Sequence, residues 1–354
     1  MTRKIQIAAL GVAALVAVYV LFFSNIFAFE YRSEAADLIR KFSPLPALNT
    51  VDYDRRLLLL AHVQLSTTTS PSAQVASSRP GRLWPVKAVY PRTGAILPFK
   101  RILAFYGNFY SRNMGVLGEH PDDELVKKLE SEALVWAAAD PTTPVLPAIQ
   151  YIAVVAQGTA GREGKYILRM PDEEIDHALA LAEQVHGIVI LDLQVGLSTL
   201  AYELPMLEKY LSLPQVHLAI DPEFSMKSGN RPGTVIGTYD ATDINYAARY
   251  LAELVREHEL PPKVLLVHRF TQHMVTNYQN IRPLPEVQII MDMDGWGTQA
   301  KKKGTYQRVI TPEPVQFAGI KLFYKNDRKP PSTGLLTPSQ VLSLMPAPIY
   351  IQYQ

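Results

Sequence analysis

One continuous stretch decides the fold, because two helix–strand units follow each other there directly. The first unit reads PDEEIDHALALAEQVHGIVILDLQ from Pro171 to Gln194, and the second ends VHLAIDPE at Glu223. Asp172–Val185 has the 3.6-residue apolar period of a helix and starts with acidic residues, which the helix dipole favours. Gly187–Leu193 is a short, continuously apolar run, typical of a strand that is buried on both faces. This alternation predicts parallel strands joined by right-handed helical crossovers.

The same alternation extends over the chain from about Arg101 to the C-terminus and predicts a (β/α)8 TIM barrel, the α/β fold in which eight such units close on themselves. The predicted strands are Ile102–Tyr106, Ala148–Ala156, Gly187–Leu193, Val216–Ile220, Val264–His268, Val287–Met291, Phe317–Phe323 and Ala347–Gln352. The predicted helices are Asp122–Ala138, Asp172–Val185, Thr199–Leu211, Ala241–His258 and Thr337–Leu344.

An open, doubly wound sheet is the alternative fold. It would place a glycine-rich phosphate loop between an early strand and a helix. The glycines of Gly158–Gly164 have the wrong spacing for that loop, and no helix starts directly behind them. The barrel is therefore favoured, with Arg269–Glu286 as its least regular connection.

The N-terminus predicts a membrane-targeting segment. Arg3 and Lys4 precede an uncharged apolar run, Ile5–Phe29, which is long enough to cross a bilayer. We interpret residues 1–29 as a signal anchor, or as a signal peptide if it is cleaved. The positive flank would stay in the cytoplasm, so the rest of the chain is expected to be extracytoplasmic, membrane-anchored or secreted.

Residues 30–83 are interpreted as a juxtamembrane segment and a linker. Tyr53–Leu60 favours a short helix, and Ser66–Gly81 has the Ser/Thr/Pro composition of a flexible stalk. Residues 84–354 form the predicted barrel domain. It begins with a hairpin from Trp84 to Pro98, turning at Pro91–Gly94, that is expected to plug the bottom of the barrel.

Composition excludes several classes of function. The chain has 354 residues, 35 basic and 33 acidic side chains and no cysteine. A near-neutral chain gives no electrostatic case for a nucleic-acid partner, and a chain without cysteine has no disulfides, thiolate metal sites or cysteine nucleophiles. No cofactor is indicated.

Polar side chains follow the apolar runs, at the carboxyl ends where barrels build their active sites. Because side chains alternate along a strand, Asp192 and Gln194 share a face, as do Asp221 and Glu223, and Asp292 and Asp294. Charged residues are seldom buried without a partner, so this concentration predicts a site. Its remaining candidates are Tyr106, Asn108, Gln157, His268, Lys321, Tyr324 and Gln352.

Asp221-Pro222-Glu223 is the sharpest feature. Two carboxyl groups on one face repel each other, which raises one pKa and makes that group a general acid near neutral pH. The motif resembles the Asp-x-Glu pair of the lysozyme-type and chitinase-type (β/α)8 glycoside hydrolases. The resemblance implies that Glu223 protonates the glycosidic oxygen of a polysaccharide and that Asp221 assists it.

The sequence departs from both of these types. It lacks the run of three aspartates before the glutamate, and its first strand ends in Tyr106 and Asn108 where the lysozyme type has an aspartate. The second carboxylate is therefore open between Asp192 and Asp292, and its separation from Glu223 would decide between retaining and inverting chemistry.

The strand ends LDLQVG, IDPE, VHRF and DGWG also resemble a group of secreted bacterial barrel proteins, which implies no established activity. Aromatic residues at these ends suit a carbohydrate cleft, since sugar rings stack on aromatic faces. They are Tyr106, Phe109, Tyr110, Phe224, Tyr239, Phe270, Trp296 and Tyr324.

Three alternatives remain open. One is a metal-dependent hydrolase that combines His268 with Asp192, Asp221 or Asp292. Another is a Schiff base on Lys321. The third is a barrel that binds glycan without cleaving it. In each case, the long connection Phe224–Tyr239 is predicted to gate the site.

Overall fold

The computed structural model describes residues 47–63 and 82–354. The predicted signal segment at residues 1–29 lies outside the described residues, as does the Ser/Thr/Pro stretch from 66 to 81. Within the two described ranges, no helix has the length and apolarity needed to span a membrane.

The barrel is a closed ring of eight parallel strands. Each barrel strand pairs in parallel with its neighbours, and the ring closes because the first strand pairs with both the second and the last. In chain order the strands are β1 (Arg101–Gly107), β2 (Val145–Ala156), β3 (Ile167–Arg169), β4 (Ile188–Leu193), β5 (Val216–Ile220), β6 (Tyr239–Asp240), β7 (Lys263–Arg269), β8 (Val275–Thr276), β9 (Val287–Met293), β10 (Phe317–Leu322) and β11 (Tyr350–Tyr353). All eight predicted strands are confirmed, while β3, β6 and β8 are short additions outside the ring.

Helices surround the ring. They are α1 (Thr50–Leu60), α2 (Asp122–Ala139), α3 (Asp172–Gln184), α4 (Leu200–Glu203), α5 (Glu208–Leu211), α6 (Ala241–Glu257), α7 (Gln299–Val309) and α8 (Pro338–Leu342). The predicted helix Thr199–Leu211 is broken into α4 and α5 by a 3-10 turn at Leu204–Leu207, because Pro205 lacks the N–H that a continuous helix needs.

Two connections differ from the sequence prediction. α7 was not predicted, since its sequence QAKKKGTYQRV has few apolar residues at helical spacing. The segment between β7 and β9 contains two 3-10 turns and β8, and no α-helix. In its place β8 pairs with β6, which joins this connection to the start of α6.

The lower interior of the barrel is apolar and is closed from below. Inward-facing residues such as Ile190, Ala219 and Leu266 form one buried cluster with Tyr53 of α1 and with Leu97. The backbone of Leu97 exchanges two hydrogen bonds with the side-chain amide of the fully buried Gln288, at 3.0 and 2.6 Å.

The segment before β1 therefore contacts the lower interior of the barrel, but its form differs from the prediction. Residues 84–98 contain turns and no strand, so the predicted hairpin does not form. Helix α1, which was assigned to the linker, belongs to the same compact unit as the barrel, because burying Tyr53 requires the barrel floor.

Candidate active site

A cavity of about 710 Å³ opens at the carboxyl end of the barrel, where barrels of this class place their active sites. Most of the barrel strands and helix α7 contribute to its wall. The predicted site residues that line it are Tyr106, Gln194, Asp221, Glu223, Asp294, Trp296 and Lys321.

The loop after β5 fixes the position of Glu223. Pro222 starts a 3-10 turn, and the side chain of Asp221 caps it by accepting the N–H of Glu223 at 3.0 Å. On the other side, the N–H of Gly237 donates to the carbonyl of Glu223 at 2.7 Å. Only glycine permits this approach, because a Cβ at that position would lie 2.5 Å from the carbonyl oxygen of Pro222.

Both carboxyl groups of this loop have raised pKa values. Burial, reinforced by the charge of Asp294, raises the pKa of Glu223 to about 7, although Lys321 and His268 act against it. Burial also raises the pKa of Asp221 well above its ordinary range. Near neutral pH, therefore, Glu223 can hold a proton and release it, which is the property of a general acid.

Gln194 connects three parts of the wall. Its side-chain oxygen accepts the N–H of Ala156 at 3.1 Å, and its amide nitrogen lies 3.4 Å from both the Tyr106 hydroxyl and the carboxylate of Asp221. The ammonium of Lys321 lies over the face of the Tyr106 ring, 3.6 Å from the ring centroid. The amide, the phenol and the ammonium thereby form one polar surface beside Asp221.

A lower cluster of polar side chains lies beneath this surface, within the barrel. It consists of Gln150, Asp192, His268, Asp292 and Gln352, all fully buried. None of the five lines the cavity. The register between strands places these side chains at one level of the barrel, as the pairing of His268 with Asp292 on the neighbouring strand illustrates.

His268 is the centre of the lower cluster. Its Nε2 is 2.8 Å from a carboxylate oxygen of Asp192, which also accepts from the Gln150 amide at 2.6 Å. Its Nδ1 is 3.3 Å from Asp294 and 3.5 Å from Asp292, within ion-pair distance but not aligned for a hydrogen bond. His268 thus links the lower cluster to Asp294 in the cavity wall.

The lower cluster contains a buried ion pair. Burial lowers the pKa of His268, but the charge and hydrogen bond of Asp192 outweigh it, so that its pKa is well above the ordinary value. Burial likewise opposes ionisation of Asp192, yet His268 and Gln150 hold its pKa below the ordinary value. Burial raises the pKa of Asp292, and Gly319 makes room for this side chain, because a Cβ there would lie 2.7 Å from its Oδ1.

The remaining predicted residues lie elsewhere. Asn108 is buried and donates to the hydroxyl of Tyr151 at 3.3 Å, and Tyr324 donates to Glu132 of α2 at 2.8 Å. Gln157 is half-buried and Gln352 is fully buried, and neither lines the cavity. Of the aromatic candidates, Phe224, Phe270 and the half-exposed Trp296 line it as well as Tyr106.

The sequence analysis missed several residues of the site. Gln150 lies in the middle of an apolar run, and this single polar residue was the only signal that it faces other polar groups. Lys301, Thr305 and Arg308 line the cavity from α7, the helix that was not predicted. Arg269, by contrast, does not line the cavity, because its guanidinium pairs with Glu313 and donates to backbone carbonyls.

The described residues contain no group of three or more His, Asp or Glu side chains arranged to hold a metal ion. The carboxylates around His268 are ordered by that imidazole, which already occupies the space between them. Nor does any described carboxylate lie within ion-pair distance of Lys321.

No protein-family model and no curated protein match the chain. Among solved structures, the Clostridial cellulose synthase subunit Z from Clostridioides difficile is similar at 9% identity and a TM-score of 0.36, covering 72% of this chain and 91% of that one. A hyperthermophilic endo-β-1,4-glucanase in complex with substrate is similar at 8% identity and a TM-score of 0.38, and the match covers 72% of this chain and 89% of that one. The GH26C protein from Muricauda sp. is similar at 11% identity and a TM-score of 0.31, and the match covers 75% of each chain. At these scores the likenesses carry no argument about activity, and the barrel is established by the strand pairing of the chain itself.

Proposed function

We propose that this protein is a glycoside hydrolase-like enzyme that cleaves a polysaccharide by carboxylate acid/base catalysis, with Glu223 as the general acid. The observation that carries this proposal is the position and ionisation of Glu223. Its carboxyl group lines a large open cavity, and burial raises its pKa to about 7. A carboxylic acid protonated near neutral pH is the group that glycosidic bond cleavage requires at the leaving oxygen.

We assign the second carboxylate to Asp294. It lines the same cavity, and its charge is the strongest electrostatic influence on Glu223 after burial. Asp192 and Asp292, the candidates from the sequence, lie in the lower cluster and do not reach the cavity. Asp192 acts as the partner of His268, which in turn lies 3.3 Å from Asp294.

The mechanism follows from these placements. Glu223 donates its proton to the glycosidic oxygen while the bond to the anomeric carbon breaks. Asp294 then acts in one of two ways: its carboxylate bonds to the anomeric carbon, and water hydrolyses the resulting ester while Glu223 takes the proton of that water, or Asp294 takes a proton from a water that attacks the anomeric carbon directly. Asp221 fixes the turn that carries Glu223 through its hydrogen bond to the Glu223 N–H, and the half-exposed Trp296 offers a stacking face for a sugar ring.

We further propose an extracytoplasmic location, so that the substrate is a cell-wall or extracellular polysaccharide. The support is the basic flank and apolar run of residues 1–29.

Hydrolysis of a panel of cell-wall and extracellular glycans by the purified protein tests the proposal. The Glu223→Gln variant keeps the size and hydrogen-bonding shape of the side chain but cannot donate a proton as an acid. Its turnover is expected to fall by a factor of about 10² to 10⁴, while glycan binding measured by calorimetry survives.

Glu257→Gln is the matched control, since Glu257 is an exposed residue at the end of α6. It is expected to hydrolyse the panel like the unmodified protein. If the unmodified protein binds glycans but cleaves none of them, the enzyme is refuted and a non-catalytic glycan-binding barrel takes its place.

A further inference from the structure

One side of the cavity carries three cations that form no ion pair with the described residues. Lys301 and Arg308 reach it from α7, and Lys321 from the end of β10. None of the three lies within 4.0 Å of an Asp or Glu oxygen in the part of the chain that the structure describes. Solvated surface cations are common, but three unpaired cations around one concave site are an arrangement that suits an anionic ligand.

Lys321 is the strongest member of this set. It is only 4% exposed, and charged side chains are seldom buried without a partner. Its ammonium makes no hydrogen bond with any described side chain and contacts the Tyr106 ring at 3.6 Å from the centroid. The positive charge is therefore held at the cavity wall, where a ligand can pair with it.

The other two cations are also held in position. The aliphatic part of Lys301 packs on Gly297, where a Cβ would lie 2.6 Å from its Cδ, and its ammonium is 5.0 Å from the centroid of the Trp296 ring. The guanidinium of Arg308 donates to Thr305, which also lines the cavity, at 3.2 Å.

The sequence of α7 supports a function for these charges. Lys301 lies in the first turn of the helix, where the helix dipole disfavours a cation. The next residue, Lys302, has a structural partner, since it pairs with Asp327 at 3.0 Å and donates to two backbone carbonyls. Lys301 has no such partner among residues 47–63 and 82–354. Local preferences are commonly violated at functional sites.

The acidic residues of the cavity do not cancel these cations near neutral pH. Burial raises the pKa of Asp221 well above its ordinary range and that of Glu223 to about 7. Two of the three acidic residues in the wall thus carry a reduced negative charge, and against these two and the carboxylate of Asp294 the three cations leave the site with an excess of positive charge.

We infer that the substrate is an anionic glycan, whose sugar rings carry carboxylate or sulfate groups that bind Lys301, Arg308 and Lys321 while the glycosidic bond lies at Glu223. The inference rests on the proposed function for the reaction and on the unpaired cations for the substrate class. The guanidinium of Arg308 can donate two parallel hydrogen bonds to a carboxylate or sulfate group, and the two ammonium groups can pair with such oxygens as point charges.

Calorimetric binding tests this inference on the full chain with the Glu223→Gln substitution, which prevents turnover. The probes are oligogalacturonate and its carboxyl-reduced galactan counterpart, and dextran sulfate and uncharged dextran. At least one acidic probe is expected to bind about tenfold or more tightly than its neutral counterpart. Raising the salt concentration is expected to weaken only the acidic probes.

The variants Lys301→Ala, Arg308→Ala and their combination are each expected to weaken binding of the acidic probe, by about tenfold or more for the pair. Lys303→Ala is the matched control, because Lys303 belongs to the same helix but does not line the cavity. Thermal unfolding of each variant checks that the fold is retained.

The inference is overturned if no acidic probe binds better than its neutral counterpart, or if the alanine variants bind the acidic probe as the control does. Hydrolysis is read separately in the protein with Glu223 intact. Charge-dependent binding without hydrolysis would reject the proposed function and leave the substrate class standing. Hydrolysis of neutral glycans alone would do the reverse.

Discussion

The ionisation of Glu223 can be moved in opposite directions by two neighbouring charges. Asp294 raises its pKa and Lys321 lowers it. If protonated Glu223 is the general acid, activity falls as pH rises through its pKa. Asp294→Asn removes the charge that favours the proton, so the alkaline limb of the pH profile is expected to move to lower pH. Lys321→Met is expected to move it to higher pH.

The size of the effect follows from the pKa of Glu223. Burial is the largest cause of its rise from 4.5 to about 7, so removing Asp294 takes away only part of it; a single nearby charge shifts the pKa of a carboxyl group by about one unit or more. At pH 7, a fall of one unit reduces the protonated fraction from about one half to about one tenth. For Lys321→Met, a rise of one unit increases the protonated fraction at pH 8 about fivefold.

The assay is the pH dependence of kcat/KM, which reports ionisations of the free enzyme. The position of the alkaline limb is compared among variants, since Asp294→Asn also lowers the absolute rate. Lys303→Met serves as the control, because Lys303 carries the same charge but does not line the cavity. Limbs that stay in place in both variants, or that move in the same direction, would refute the assignment of Glu223 as the acid.

Three further predictions follow from the site. His268→Gln leaves Asp192 as a buried carboxylate without its ion-pair partner and should lower the free energy of unfolding by about 3–5 kcal/mol. Because the pKa of His268 is raised and that of Asp192 is lowered, this loss should be greatest between about pH 4 and 6.5 in denaturant titrations and should shrink at lower and higher pH. A loss that is constant across pH would contradict the ion pair. Gly319→Ala would push its methyl group against Asp292 and should cost about 1–3 kcal/mol in the same titration, whereas an unchanged midpoint would show that the barrel interior is not packed as described. Trp296→Ala removes an exposed stacking face and should raise KM several-fold with little change in kcat, and a fall in kcat alone would exclude the stacking role.

The barrel itself was predictable because its strands are short, continuous apolar runs separated by helices with clear starts. Gly187–Leu193 and Val216–Ile220 are examples, because a strand that is buried on both faces has apolar residues in a continuous run instead of at every second position. The segment Trp84–Pro98 was not predictable in form. Its turn residues suggested a hairpin, but its backbone is fixed by contacts with the barrel floor, such as Leu97 with Gln288, which the sequence does not reveal.

The sequence also predicted which strand ends carry the site, but not the depth of each side chain. Asp192 and Gln194 share a face, yet Gln194 reaches the cavity and Asp192 lies below it. Depth depends on the register between strands, such as the pairing of His268 with Asp292, and register is set by the closure of the whole ring.

The cationic side of the cavity could not be found from the sequence for a different reason. It depends on α7, whose polar composition hides its helical period. Lys301 and Lys302 are adjacent in the chain, but one lines the cavity and the other is buried against Asp327. Only the helix orientation distinguishes a side chain that can bind a ligand from one that holds the fold together.

The central claim is that Glu223 donates the proton to the leaving group. It is tested most directly by comparing leaving groups in the Glu223→Gln variant. A glycoside with a dinitrophenolate leaving group needs no acid for bond cleavage, so kcat/KM of the variant on this substrate is expected to stay within about tenfold of the unmodified protein, while kcat/KM on the natural glycosidic bond falls by about 10² to 10⁴. Equal losses on both substrates would contradict the account.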